Sequence, residues 1–400
     1  MNSKWKTKKL VDICSLFTDG DWIERKDQAQ MGIRLIQTSN IGKGYFKNNE
    51  NKARFITDYT FKKLHCKEIF MGDCLISRLP DPIGRSCILT KKDERMITAV
   101  DCTIARFDLK QIIPEFFIYY SNSHDYLSSV SQESSGATRK RISRNRLGNI
   151  NIPVPPLPEQ QRIINILDKA FKNIETAKAN AEKNLQNTHA IFENYLQSIM
   201  TKKRQEWNKK KLIEIIKRTE TFNPRKYPNF EFNYIDISSV SNITYQIEET
   251  HKIKGKDAPS RARQIVKVND ILFATVRPTL RRVVIVPKHF DGQMCSTGYC
   301  VLRSKPEVDH RFLFYSLIEK NFINTMEILQ KGTSYPAVTN NEIKAQEIFF
   351  PTLSEQQRII SILDTLYTET KNLEFFYKQK IELCDALKKS FLHQAFNGEL

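Results

Sequence analysis

Pro158-Glu159-Gln160-Gln161-Arg162-Ile163-Ile164-Asn165-Ile166-Leu167-Asp168 returns, 196 residues on, as Ser354-Glu355-Gln356-Gln357-Arg358-Ile359-Ile360-Ser361-Ile362-Leu363-Asp364. A repeat of this kind decides the layout of a chain before any single element is read. The same offset runs backwards without a gap: Gly136-Ala137-Thr138 falls on Gly332-Thr333-Ser334, Leu147 on Ile343, Ile152 on Ile348 and Pro155 on Pro351. Near the start of each copy, Trp5-Lys6-x-Lys8-Lys9-Leu10-x-x-Ile13 reappears as Trp207-x-Lys209-Lys210-Lys211-Leu212-x-x-Ile215, now 202 residues on. The chain is therefore a duplicated unit whose ends are alike and whose middles differ in length and sequence.

Each middle reads as short strands and loops. Gly72-Asp73-Cys74-Leu75-Ile76-Ser77 and Asn269-Asp270-Ile271-Leu272-Phe273-Ala274 place a turn before an apolar run, and Val283-Val284-Ile285-Val286 is β-branched throughout. Phe116–Tyr120 and Phe312–Ser316 suit helix or strand, and the Pro or Asp ahead of each favours a helix start. After Pro153-Val154-Pro155-Pro156-Leu157-Pro158 the pattern becomes helical for about 40 residues. Ile163, Leu167, Ala170, Ile174, Ala177 and Ala181 follow a 4-3 spacing, which Ile191 and Tyr195 resume after polar Asn184 and Thr188. In the second copy Ile359, Leu363, Leu366, Leu373, Tyr377, Leu387 and Phe391 keep the phase, with Thr370 and Cys384 interrupting. About 60 Å of helix, at 1.5 Å per residue, exceeds what a strand-and-loop domain of ~150 residues covers by itself, so the two helices are expected to cover one another. The expected fold class is α+β: two mixed α/β domains at 1–155 and 204–350, with long helices at 156–203 and 351–400.

Against 45 Asp and Glu stand 63 Lys and Arg, a formal charge of +18 in 400 residues, which favours a polyanionic partner such as nucleic acid. Met1-Asn2-Ser3-Lys4-Trp5-Lys6 has no apolar stretch behind its basic residues, and no run of 18 apolar residues occurs, so a soluble cytoplasmic protein is expected. The eight cysteines are scattered without a C-x-x-C pair, which supports neither a zinc site nor a disulfide framework.

Duplex DNA is gripped through its phosphates by cations and read at base edges by planar or amide groups held on loops. Candidates in the first copy are Thr38 and Asn40, Arg78, Arg85, and the run Arg139-Lys140-Arg141-x-x-Arg144 beside Gly136. In the second they are Arg225 and Lys226, Arg261 and Arg263, Arg277, Arg281 and Arg282, with the nearly uncharged Ser334 and Tyr335 standing where the first copy has its basic run. The two halves are thus expected to read different sequences. Catalytic signals are weak by comparison. Pro155-Pro156 lacks the Asn or Asp before it and the aromatic after it that an amine methyltransferase needs, and no glycine-rich nucleotide loop occurs. Pro80-Asp81 with Asp108-Leu109-Lys110 is too loose for a magnesium nuclease, and the second copy has Pro278-Thr279 instead.

The sequence P-P-L-P-E-Q-Q-R-I-I-N-I-L-D at 155–168, its second copy P-T-L-S-E-Q-Q-R-I-I-S-I-L-D, the 4-3 helices after each, and the terminal Ala395-Phe396-Asn397-Gly398-Glu399-Leu400 resemble specificity subunits of type I restriction-modification systems. The resemblance implies that each variable middle is a target recognition domain for one half of an interrupted DNA site, and that the helices form an antiparallel coiled coil whose length sets the gap. It further implies a chain with no catalytic centre or cofactor of its own. Two adenine-N6 methyltransferase (M) subunits would hold S-adenosylmethionine, and motor-nuclease (R) subunits would use ATP and Mg²⁺. The competing class is a stand-alone DNA nuclease or methyltransferase.

Overall fold

In the computed structural model, residues 5–90, 94–136, 138–202 and 207–400 are described. Ala137 of the repeat, the start of the chain at Met1–Lys4 and the expected beginning of the second domain at 204 lie outside the described residues. The chain divides into two compact units, Met1–Ala181 with Gln379–Leu400, and Glu182–Lys378.

In the first unit the strands are β1 (Lys6–Lys9), β2 (Cys14–Asp19), β3 (Ile33–Ile36), β4 (Arg54–Ile56), β5 (Glu68–Ile69), β6 (Cys74–Ser77), β7 (Ser86–Ile88), β8 (Met96–Thr98), β9 (Cys102–Phe107) and β10 (Asn151–Val154). Helices α1 (Asp58–Lys63), α2 (Pro114–Ser121), α3 (His124–Gln132) and α4 (Arg144–Gly148) precede the 46-residue α5 (Leu157–Lys202). Two four-stranded sheets, β2-β9-β6-β7 and β4-β3-β8-β5, make the body, and β1 pairs with β10.

The other unit repeats this order with β11 (Asn208–Lys211), β12 (Ile216–Lys217), β13 (Glu231–Ile235), β14 (His251–Lys254), β15 (Ala262–Ile265), β16 (Ile271–Ala274), β17 (Val283–Ile285), β18 (Met294–Ser296), β19 (Tyr299–Ser304) and β20 (Glu347–Phe350). Its helices are α6 (Leu212–Ile215), α7 (His310–Ile318), α8 (Lys320–Leu329), α9 (Asn340–Lys344) and the 45-residue α10 (Leu353–Asn397). The sheets are β12-β19-β16-β17 and β14-β13-β18-β15, with β11 on β20. Each second sheet carries one parallel pair, β3 on β8 and β13 on β18, which makes the domains mixed. The ends that the repeat preserves are the ends that meet: Lys6 lies opposite Val154, and Asn208 opposite Phe350.

Seven positions of the repeated motif have a physical role that recurs in both copies. Gln160 is fully buried; its amide donates to the carbonyls of Gln111 (2.9 Å) and Pro155 (2.8 Å), and its Oε1 accepts from the Ile113 backbone N–H (2.8 Å). Gln356 does the same with Glu307, Pro351 and Asp309. Glu159 and Arg162, like Glu355 and Arg358, form a two-pronged pair on the helix surface. Ile163, Ile164 and Leu167 enter one core, Ile359, Ile360 and Leu363 the other. Asp168 and Asp364 accept from the hydroxyls of Tyr119 and Tyr315.

Each core is also closed by the end of the other long helix. Leu392, Ala395 and Phe396 of α10 pack with Ile163 and Leu167 of α5, where the Phe396 ring meets Phe116 (5.4 Å) and Tyr120 (5.1 Å). Lys178 on Asp385 (2.6 Å) and Lys388 on Glu175 (2.7 Å) fix α5 and α10 as antiparallel in this unit. In the other unit Leu196 and Met200 of α5 join the core of Ile359 and Leu363, and Phe192 meets Tyr367 at 5.5 Å.

The helix seam departs from the expected one. Ile191 (47%) and Tyr195 (40%) are exposed, and the inward line runs through buried Ala181, Thr188, Leu196 and Met200 and half-buried Leu185 and Phe192. A straight helix has 3.6 residues per turn, so a strict heptad drifts by ~20° per repeat and an extra step of four restores the phase. On α10 the supposed interruptions Thr370 and Cys384 are buried, whereas Leu373 and Leu387 are exposed. Thr370 is accommodated because its hydroxyl donates to the Tyr367 carbonyl at 2.9 Å.

Candidate nucleic-acid interface

In each unit one end of both four-stranded sheets gathers three loops. In the first, loop 78–85 joins β6 to β7, the turn Thr38–Asn40 follows β3, and the segment Ser135–Arg141 closes on itself through Ser135 N–H to Arg141 C=O (2.9 Å) and the reverse bond (2.8 Å). Ile142 N–H donates to Arg78 C=O at 3.2 Å, which sets that segment beside loop 78–85. The second unit has loop 275–282 after β16, the turn Ile237–Ser239 after β13, and Lys331–Ala337 closed by the same pair of bonds at 2.9 Å each. Gly136 turns with φ +121°, and a Cβ there would sit 2.4 Å from the Arg139 carbonyl oxygen, so the segment needs glycine.

Three expected DNA contacts are instead parts of the scaffold. Arg85, 8% exposed, spends its guanidinium on four carbonyls: Ile41 (2.9 Å), Leu79 (2.8 Å), Pro82 (3.0 Å) and Thr38 (2.8 Å). Asn40 is buried because its side chain caps its own turn, accepting from Gln37 N–H (3.0 Å) and donating to Lys47 C=O (2.9 Å). Arg78 is buried between the Val100 carbonyl and Asp19. Burial draws the guanidinium of both Arg78 and Arg85 below the ordinary arginine value. Thr38 is half-buried, and its carbonyl is held by Arg85.

Arg282 is the counterpart of Arg85, bonded to the carbonyls of Ile237 (3.1 Å) and Val240 (2.6 Å). Arg281 turns away from the loops to pair with Glu193 of α5 at 2.7 Å. Arg225 and Arg263 donate to the carbonyls of Ala258 (2.7 Å) and Ser260 (3.0 Å). Arg141 is exposed but paired with Asp101 (2.7 Å), and Arg144 lies 3.9 Å from Asp19.

What remains at the surface is a smaller set. Arg139 and Lys140 stand exposed beside Pro80–Ile83 at the rim of a 400 Å³ hollow. Lys226 and Arg261 are exposed, and the Arg261 carbonyl accepts from Thr297 N–H (2.8 Å), which puts it at the loop end. Arg277, Ser334 and Tyr335 come together: the Arg277 guanidinium lies 5.0 Å from the Tyr335 ring centroid, and its Nη2 donates to the Ser334 carbonyl at 3.2 Å. Sequence reasoning passed over Lys43, Tyr45 and Lys47, exposed on the turn after Thr38–Asn40, where Gly44 N–H donates to Ser86 C=O (2.9 Å) and Lys47 lies over the Tyr45 ring. The alternation Lys43-x-Tyr45-x-Lys47 was the available signal.

Two ion pairs built on buried carboxylates, also unread in the sequence, brace the opposite ends of the strands. Arg106 grips Asp73 (2.7 and 2.8 Å), and Arg303 grips Asp270 (2.8 and 2.9 Å). Among the described residues no group of three or more His, Cys, Asp or Glu is placed to hold a metal ion, and no helix is long and apolar enough to cross a membrane.

Two halves with one topology, each carrying its own differently charged loop cluster, match one family model twice. The model for the type I restriction modification DNA specificity domain covers residues 2–186 and 204–383. The chain belongs to this family. It is 22% identical over 412 residues to the putative type I restriction enzyme MjaX specificity subunit of Methanocaldococcus jannaschii, covering 96% of this chain and 92% of that one. Similarity to the EcoDI specificity subunit of Escherichia coli is 21% over 309 residues, 68% of each chain. Among solved structures, a chain from a study of type I R-M complex assembly and conformational transition matches with TM-score 0.78 at 16% identity, covering 100% of this chain and 99% of its own length. The HsdS subunit of Thermoanaerobacter tengcongensis matches with TM-score 0.65 at 16% identity, over 100% and 98%. At such identities these two matches speak to the fold, and it is the specificity-subunit fold: two recognition domains and two long antiparallel helices.

Proposed function

We propose that this specificity-domain chain selects the DNA site at which a type I restriction-modification complex acts, in the cytoplasm, without carrying out chemistry itself. Each unit reads one half of an interrupted target through its loop cluster, and the two helices set the gap between the halves. The observation that carries this reading is the duplication of one topology with unlike loops: Arg139 and Lys140 in one unit, Arg277, Ser334 and Tyr335 in the other. Two sites of the same build and different chemistry are what a two-part, asymmetric target requires.

The catalytic work then belongs to partners. Two adenine-N6 methyltransferase subunits would bring S-adenosylmethionine, and motor-nuclease subunits ATP and Mg²⁺. Methylome sequencing of cells that express the complete system tests the reading. The expected result is one methylated motif made of two half-sites at fixed spacing; a single uninterrupted motif, or methylation unaltered by exchange of residues 207–350, overturns it.

A further inference from the structure

We infer that Arg277 is the specificity-determining residue of the second unit and that it reads a guanine; the inference rests on the DNA-recognition reading above. Of the six arginines first considered for this unit, Arg225, Arg263, Arg281 and Arg282 are spent on carbonyls or on Glu193. Arg261 is exposed, and its backbone carbonyl holds Thr297. Arg277 differs from all of these. It is exposed, and its guanidinium is oriented from two sides, by the Tyr335 ring and by the Ser334 carbonyl.

That single bond uses one Nη2 proton. Among the described residues no carboxylate neutralises Arg277, so Nε–H, both Nη1 protons and the second Nη2 proton remain for a ligand. A planar fork held over an aromatic ring and bonded to a backbone carbonyl has already lost part of its rotamer freedom, so less is lost when it docks. Two adjacent acceptors matched to such a fork, with no phosphate needed, are O6 and N7 of guanine in the major groove.

The backbone supports the same placement. Arg277 has φ 49°, ψ 57°, a left-handed conformation that side-chain-bearing residues adopt where the surroundings impose it, and such residues cluster at functional sites. Here its N–H donates to the Pro336 carbonyl at 2.7 Å, and Val276 bridges Ala337, so loop 275–282 is bound to the loop that carries Tyr335. In the first unit the residues beside the corresponding loop are Arg139 and Lys140, with no aromatic platform among the described residues; a flexible lysine and an unstacked arginine suit phosphates better than a base edge.

The test is selection of duplexes from a randomised pool by the full-length chain at moderate salt, for the wild type, Arg277→Ala, Arg277→Lys and Tyr335→Ala. The wild type should enrich a bipartite motif. Arg277→Ala and Arg277→Lys should each relax one G·C position in one half-site by about 10- to 100-fold, with the other half-site intact, and Tyr335→Ala should relax the same position less. Replacing that guanine with 7-deazaguanine, which lacks the N7 acceptor, should weaken wild-type binding and leave Arg277→Ala unaffected. If the wild type enriches no bipartite motif, the DNA-recognition reading falls and this inference with it. If the motif appears but Arg277 variants keep every base preference, or the relaxed position is A·T, or 7-deazaguanine binds the wild type as well as guanine does, the Arg277 inference alone is wrong.

Discussion

Gln160→Leu should cost about 3 kcal/mol of stability, because it removes the partner of the Ile113 N–H and of the carbonyls of Gln111 and Pro155, buried or part-buried groups that each lie near the lower end of ~1–3 kcal/mol for a group left unsatisfied. Urea denaturation would measure this, and Gln356→Leu should behave alike. The scaffold and surface arginines separate in the same way. Arg85→Ala should lower the melting temperature, since four carbonyls lose a charged donor, whereas Arg139→Ala should leave it unchanged and weaken DNA binding. Burial pushes the thiols of Cys14, Cys87 and Cys102 up to about 12, from an ordinary 9.0. Roughly one in ten thousand would be thiolate at pH 8, so iodoacetamide should spare them in the native protein and modify them in urea. In the unfolded chain these thiols ionise near 9.0, so the native state binds more protons above that value. Their contribution to stability is complete below pH 9 and declines as pH rises toward 12.

At the scale of the element, the long helices follow their geometry rather than a strict heptad. Leu196→Ala should cost about 2–4 kcal/mol, since Leu196 is 4% exposed in the core of the second unit. Ile191→Lys on the isolated chain should change stability by less than ~0.5 kcal/mol, although it is Ile191, and not Leu196, that belongs to the apolar series the sequence suggests. Chemical denaturation of the two variants distinguishes the observed seam from the heptad one. Strand positions were legible because β-branched runs flanked by turn residues admit few readings; Cys74–Ser77, Ile271–Ala274 and Val283–Ile285 lie inside the segments so read. Helices α2 and α7, ambiguous by composition, are settled by Pro114 at the first turn and by Asp309, whose side chain caps Arg311 N–H at 2.8 Å.

For the whole molecule, a charge of +18 predicts binding that weakens steeply with salt. Arg139→Ala with Lys140→Ala should reduce the slope of log K against log salt by about 2, at 0.9 per phosphate contact, without altering either half-site. Deleting one turn from each long helix should shorten the unread gap and leave the half-sites as they were. Methylome sequencing that found altered half-sites at unchanged spacing would refute the role of the helices as a ruler.

Duplication, the mixed domains, the long helices and the basic surface all lie in the sequence by itself, because repeat offsets, apolar periodicity and net charge are properties of residue order and count. Which cations are available was decided only in three dimensions. Arg85 and Arg139 look equivalent in a string of letters, yet one is enclosed by four carbonyls that come from Thr38, Ile41, Leu79 and Pro82, and the other meets solvent. An arginine's partners depend on chain segments up to 47 residues away, brought together by strand pairing. Local pattern carries no information about that distance; the packed fold does.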